Sequence, residues 1–164
     1  MAEREGGLRY MVVPPGQGHF IGRPDSEGGP TIKLAADQSG GAVTVYEANR
    51  PAGDIGGPGE HIHHDAHELF YVLEGEWLFL IDGERHQAPQ GTFIFVPKGT
   101  RHVFRNLGER EGRLLTMIMP GGLERYFAEL SRLPKGGLDP QANAEISARH
   151  GMTVVGPPGP PLEE

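Results

Sequence analysis

Four histidines fall within the seven residues HIHHDAH, positions 61–67, and Glu68 follows at once. In an extended strand alternate side chains share a face, so His61 and His63 project together. Two neutral imidazoles on one face are half of a first-row metal site. Glu68 lies beyond a kink at HDA and supplies a carboxylate from the start of the next strand. Much later, His102 opens the segment RHVFRN, directly after PKGT. Three imidazoles and one carboxylate brought to one point would hold a single divalent ion and leave coordination positions open. Fe, Mn, Ni, Co and Zn all suit such a set, and spacing alone does not choose among them. Taken by itself, HIHHDAH has a competing reading as a solvated loop that binds nickel and does nothing more. His64 and His67 are supernumerary: surface exposure is the simpler fate of each, while His67, beside Glu68, also has the position of a partner to a ligand or of an alternative ligand.

These residues need strands to carry them. The 26 glycines and 15 prolines punctuate short apolar segments rich in β-branched and aromatic residues. The segments are 31–36, 42–48, 68–75, 76–82, 91–97, 101–106 and 112–120, separated by turn-forming stretches such as DGER, PQG and PKG. EWLFLIDGERHQA reads as a hairpin through Asp82-Gly83, with its turn type left open. Within it Trp77 alternates with Phe79 and Ile81 and is expected in the core or in an interface. So many short strands at close spacing predict a sandwich or small barrel.

After Pro120 the period changes. Leu123, Tyr126, Phe127 and Leu130 form one face of an amphipathic helix, expected to pack on the outside of a sheet. Asp139-Pro140 supplies the N-cap and first turn of a second helix over about 140–150, with Gly151 as its stop. The end, GPPGPPLEE, is expected as a frayed tail.

Bulk properties narrow the function. With 164 residues the chain suits one domain. A net charge of −7 with scattered basic residues argues against nucleic-acid and membrane-surface partners. No apolar run approaches the ~20 residues of a membrane helix. The charged start, MAEREGGLRYMVV, lacks the pattern of a signal peptide, so a cytoplasmic location is expected. The absence of cysteine excludes disulfides, zinc–thiolate sites and thiol nucleophiles.

GTFIFVPKGTRHVFRN resembles the second motif of the cupin superfamily, G-x5-P-x-G-x2-H-x3-N, with Gly91, Pro97, Gly99, His102 and Asn106 at every specified position. The earlier stretch resembles the first motif, G-x5-H-x-H-x3–4-E-x6-G, through His61, His63, Glu68 and Gly75. The leading glycine is replaced by Ile55, although Gly56, Gly57 and Gly59 lie just after it. The resemblance implies an all-β fold, an antiparallel β-barrel of jelly-roll type with two short C-terminal helices. The barrel and its N-terminal strands would occupy 1–120, with the motif core at 57–106. The helices would pack on it over 121–151, and a Pro-rich tail would run over 152–164. It implies one divalent transition metal ion held by His61, His63, Glu68 and His102. The Pro97–Thr100 turn must aim His102 inward. Asn106, on the same face but too far along to reach the metal, is expected to make a structural hydrogen bond.

If Glu68 and His102 point inward, alternation sends Phe70, Val72 and Phe104 with them, either as an apolar substrate wall or as barrel filling. A fold alone does not give a function. Similarity to single-domain, quercetin 2,3-dioxygenase-like cupins implies a dioxygenase acting on an aromatic or enolic small molecule, with dioxygen as co-substrate. Glu68 would then serve also as general base toward a substrate hydroxyl. Two alternatives remain: a Lewis-acid isomerase, lyase or cyclase, and a small-molecule-binding protein without turnover. A regulator is disfavoured, because the stretch before the strands does not read as a helix-turn-helix. A phosphosugar enzyme would want a cluster of arginine or lysine inside the barrel, and the strand-interior pattern offers none. Unpaired sheet edges and outward apolar residues point to a homodimer.

Overall fold

The computed structural model describes residues 8–23, 28–53 and 58–157. Residues 54–57, which include Ile55, Gly56 and Gly57 of the first motif, lie outside the described residues, as do 158–164 of the expected tail. The strands are β1 (His19–Phe20), β2 (Pro30–Leu34), β3 (Thr44–Arg50), β4 (His61–His63), β5 (His67–Glu74), β6 (Glu76–Ile81), β7 (Glu84–Pro89), β8 (Phe93–Val96), β9 (Arg101–Asn106) and β10 (Gly112–Met119). Helices α1 (Glu124–Leu130) and α2 (Pro140–Arg149) and strand β11 (Met152–Val154) complete the order. No helix among the described residues is long and apolar enough to cross a membrane.

The strands form two antiparallel sheets, ordered β1-β2-β3-β10-β5-β8 and β11-β4-β9-β6-β7. This is the expected all-β jelly roll, built as two facing sheets. Period-two patterning decides what lies between them. From the larger sheet come Tyr46 and Ala48 of β3, Phe70 and Val72 of β5, and Leu114 and Ile118 of β10, all buried. From the smaller sheet come Trp77, Phe79 and Phe104. The Phe70 ring meets those of Phe79 and Phe104 edge-on, with centroids 5.0 and 5.3 Å away. Each such ring adds about 1.5–3 kcal/mol by leaving water. Trp77 belongs to this core, and its indole N–H donates to the Glu74 carbonyl at 3.1 Å.

The β6–β7 hairpin turns through Asp82 and Gly83, whose φ angles are 47° and 86°. Two positive values in a two-residue loop make it type I′, which matches the right-handed twist of the strands.

Helix α1 departs from expectation in what it covers. Leu123, Tyr126 and Phe127 turn toward the mouth between the sheets, where the Phe127 ring lies 5.1 Å from that of inward-facing Tyr46. The apolar stripe therefore closes an open end of the core instead of lying on an outer sheet face. Helix α2 starts as expected, with the Asp139 carboxylate accepting from the Ala142 N–H at 2.8 Å.

The chain from Met152, expected as tail, begins with a strand. Gly151 at φ 72° reverses the backbone out of α2. Met152 then pairs with His63 and Val154 with His61, and Met152 is buried.

Candidate metal centre

Strand β4 is only three residues long, and its alternation is complete: His61 and His63 are buried and Ile62 is on the opposite side. The strand is held on both edges, by β9 and by β11. The β9 register sets His102 directly across from His61. The turn that delivers His102 has Gly99 at φ 84°, the left-handed position of a type II turn, and the Thr100 N–H returns to the Pro97 carbonyl at 3.2 Å. Gly99 N–H also donates to the His63 carbonyl at 2.7 Å, tying this turn to β4. Glu68 comes from the facing sheet, from β5, where it pairs with Val96 and Ile118. Three imidazoles from one sheet thus meet a carboxylate from the other.

His61, His63, Glu68 and His102 each present a potential ligand atom, and these atoms lie within 4.8 Å of one another. All four side chains are buried, at 1–4% exposure. His61 Nδ1 is 2.8 Å from the Gly59 carbonyl and His102 Nδ1 is 3.1 Å from the Thr100 carbonyl. A carbonyl only accepts, so both Nδ1 atoms carry protons and the Nε2 edges face the centre. Such backbone anchoring fixes ring orientation before any ion arrives.

The electrostatics follow from this crowding. Burial alone would raise the Glu68 carboxyl, yet the close contacts of His102 and His63 hold it well below the usual carboxylate range. His102 Nε2 donates to Glu68 Oε2 at 2.8 Å. Burial opposes a charge on His102, but this contact outweighs it and raises the imidazole's pKa. Burial, aided by the neighbouring His102 and His63, pushes His61 down to about 3. His63 Nε2 sits 3.2 Å from Glu68 Oε2 without the geometry of a hydrogen bond, and no other hydrogen-bond partner reaches it. A buried nitrogen left in that condition is costly in a protein interior and is what a metal ligand looks like without its ion. The donor set of three nitrogens and one carboxylate, convergent and buried, fits a divalent first-row ion.

The neighbouring histidines look elsewhere. Exposed His64 contacts Thr153 Oγ1 at 2.7 Å through Nε2, and His67 Nδ1 accepts from the Lys98 N–H at 3.2 Å. Asn106 is fully buried and ties the main chain together. Its amide nitrogen donates to the carbonyls of Arg50, Pro51 and Arg110, and its oxygen accepts from Gly108 N–H.

Two cavities adjoin each other on the α1 side of the cluster. The inner one, about 30 Å³, is bounded by His61, His63, Glu68, Tyr46 and Phe104. The outer one, about 590 Å³, lies against α1 and α2. Pro30, Arg50, Pro58, Tyr126 and Phe127 line both and so form the partition between them. Of the three expected wall residues, Phe104 borders the inner cavity. Phe70 and Val72 line neither; both are at 0% exposure in the core, with the Phe70 ring behind His102 at 6.3 Å. Alternation gives the face a side chain takes, and the aromatic rings there fill the space completely.

Two residues at the site were not anticipated. The Tyr46 hydroxyl donates to Glu68 Oε1 at 3.4 Å, and burial followed by the Glu68 charge raises its pKa. Arg50, at the end of β3, borders both cavities, where the strand-interior pattern had shown no cation. Thr44, Tyr46, Ala48 and Arg50 share one period-two row, so the alternation that placed the histidines also marks these two.

The cupin domain family matches residues 48–118. Quercetin 2,3-dioxygenase of Bacillus subtilis is 30% identical over 117 residues, 64% of this chain and 34% of that protein. The tetracenomycin polyketide synthase protein TcmJ of Streptomyces glaucescens is 27% identical over 94 residues, 57% of this chain and 63% of that protein. The chain thus spans a third to less than two thirds of these relatives. A crystal structure from Thermotoga maritima, described as a predicted oxalate decarboxylase, superposes with a TM-score of 0.57 and 22% identity. That match covers 67% of this chain and 99% of the other, a likeness of fold.

Proposed function

The chain belongs to the cupin superfamily, and from that premise we propose that it is a mononuclear metal enzyme, an oxygenase of aromatic or enolic small molecules. The observation that carries this reading is the buried convergence of His61, His63, Glu68 and His102 beside a chamber of substrate size. In this reading the four side chains hold one divalent ion. That ion supplies Lewis-acid polarisation of a substrate oxygen and, if redox-active, a one-electron couple.

The remaining work falls to the chain. Glu68, kept ionised by its histidine neighbours, takes the proton of a substrate hydroxyl entering the inner cavity. Tyr46, 3.4 Å from its other oxygen, orients the carboxylate. Phe104, Tyr126 and Phe127 exclude water from the reacting end. The relationship to a quercetin 2,3-dioxygenase supports oxygen as co-substrate. The test is reconstitution with Fe, Mn, Ni, Co or Zn in turn, with dioxygen consumption followed against quercetin and a panel of phenols and enols. Oxygen uptake in step with substrate loss supports the oxygenase. Turnover of the same panel at an equal rate without oxygen would replace it with a Lewis-acid isomerase, lyase or cyclase, and tight binding without product would leave a binding protein.

The reading includes a homodimer. Tyr71 and Phe93 are cross-strand neighbours on β5 and β8, and with Phe95 they are 41–56% exposed beside the free edge of β8. A second copy pairing its own β8 there would cover both the edge and the aromatic patch. Light scattering should give twice the chain mass, falling to one chain in Phe93→Asp; a monomeric parent protein would refute the dimer.

A further inference from the structure

A further cavity, of about 180 Å³, borders the ligand cluster on another side. His63 and Leu123 line both this side cavity and the inner one, so they form the wall between them. Gly121, Gly122 and Gly151 add no side chains to fill it, and it has room for several water molecules. It meets solvent at Asp65 and Pro120, both exposed.

Its chemistry differs from that of the route past the helices. Pro30, Arg50, Pro58, Tyr126 and Phe127 divide the inner cavity from the outer chamber, and no carboxylate stands among them. A divalent cation crossing there would exchange water for ring and proline surface, which is costly. Asp139, the one carboxylate among the described residues of the outer lining, is occupied in capping α2. The side cavity instead has an anion at its mouth. Asp65 lies in the short loop between β4 and β5, and its carboxylate has no hydrogen-bond or ion-pair partner among the described residues. Its Oδ2 faces Gly151 across the rim, where an added Cβ would stand 3.4 Å away. His150, the other imidazole on this lining, is held 2.7 Å from Glu129 Oε2 and leaves the capture of a cation to Asp65. At the inner wall waits His63, buried, with its Nε2 lacking a hydrogen-bond partner.

We propose that the side cavity is the path by which a divalent metal ion reaches the cluster, with Asp65 drawing in the hydrated cation and His63 receiving it first. Leu123 is the gate in the shared wall, and the organic substrate keeps its own entrance through the outer chamber. Each route then has the lining its passenger needs: water and charge for the ion, apolar rings for the substrate. Asp65 is no ligand of the completed site, whose convergent set of four does not include it. A residue that aids passage alone speeds entry and escape by the same factor and leaves the equilibrium unchanged. This inference rests on the reading of the histidine–glutamate cluster as a metal site.

The experiment is stopped-flow binding of cobalt(II) to the whole chain stripped with EDTA, read by the visible absorption of the bound ion. Asp65→Asn should slow uptake about threefold or more, with parental stoichiometry at the end point. Release of cobalt to excess EDTA should slow by the same factor, keeping Kd within about twofold of the parent. Faster release would mark Asp65 as a ligand and overturn its role in passage. The difference between parent and variant should shrink as salt rises. Glu109→Gln removes the same charge from an exposed position in the loop after β9, and it should leave both rates unchanged. Leu123→Ala thins the shared wall and should speed uptake, whereas Phe127→Ala, which opens the outer partition, should not. Parental rates in Asp65→Asn would overturn the proposal, as would acceleration by Phe127→Ala without acceleration by Leu123→Ala. Either result alongside stoichiometric cobalt sinks this inference alone; absence of the cobalt band from the parent protein sinks the metal reading and the path with it.

Discussion

His61 and His102 face each other across the β4–β9 ladder, and each ring is anchored through Nδ1 to the carbonyl two residues before it. Neither ring depends on a metal for its orientation. Their ligand edges are set by backbone hydrogen bonds within the same strands and turns that build the fold.

The first prediction concerns the ligands. His63→Ala and His102→Ala should each abolish stoichiometric metal while keeping the β-sheet circular dichroism of the parent. His64→Ala should retain full metal, since His64 turns to Thr153. Elemental analysis of untagged protein decides it. Full occupancy in the His63 and His102 variants would remove the cluster from consideration.

A second prediction is the pH dependence of the metal-free protein. His61 stays neutral in the fold down to about 3, whereas an unfolded histidine takes up a proton below about 6.5. Acid therefore favours the unfolded chain through that window. Glu68, lowered in the fold, adds stability present above the ordinary carboxylate range and lost as pH falls below it. His102 works in the opposite sense: its raised pKa gives stability that is full below about 6.5 and is lost as pH rises through the folded value. Melting temperature after EDTA treatment should pass through a maximum and fall on both sides. A curve flat from acid to alkaline pH would contradict this assignment. Metal binding, which requires the His102 proton to leave, should tighten as pH rises.

The third prediction separates holding a metal from using it. Glu68→Gln keeps three imidazoles and much of the metal, but it lacks a base. Turnover should drop by ~10²-fold or more in steady-state assays. Unchanged turnover in this variant would show that Glu68 takes no proton.

The fourth prediction tests the scaffold. Asn106→Ala removes the hydrogen bonds to the carbonyls of Arg50, Pro51 and Arg110 and from the N–H of Gly108. The loss should be about 3 kcal/mol in urea unfolding, because a fully buried side chain gives up four hydrogen bonds at once. A change under about 0.5 kcal/mol would mean that water replaces the amide without difficulty.

Much of this molecule was legible because strands repeat every two residues. The histidines of β4, the inward rows of β5 and β10, and the Asp82-Gly83 hairpin follow from that period and from turn chemistry. What it leaves unsaid is depth: it set Phe70, Val72 and Phe104 on one face, yet only Phe104 meets a cavity. Arg50 escaped notice because the expected strand stopped at Ala48; two more residues of the same alternation place it inside. Met152–Val154 is too short for any period to register, and its pairing with β4 depends on contacts distant in the chain.

That last pairing bears on the order in which the protein is made. The strand carrying His61 and His63 has an outer neighbour that is synthesised far later, as the contact from His64 to Thr153 spans 89 residues. Long-range pairings of this kind form late, because the intervening chain must first be closed into a loop. While the chain is still emerging from the ribosome, β4 lacks one of its two edges and its histidines lack their final confinement. An ion held by this cluster would therefore find its histidines fully confined only once Met152–Val154 has docked on β4.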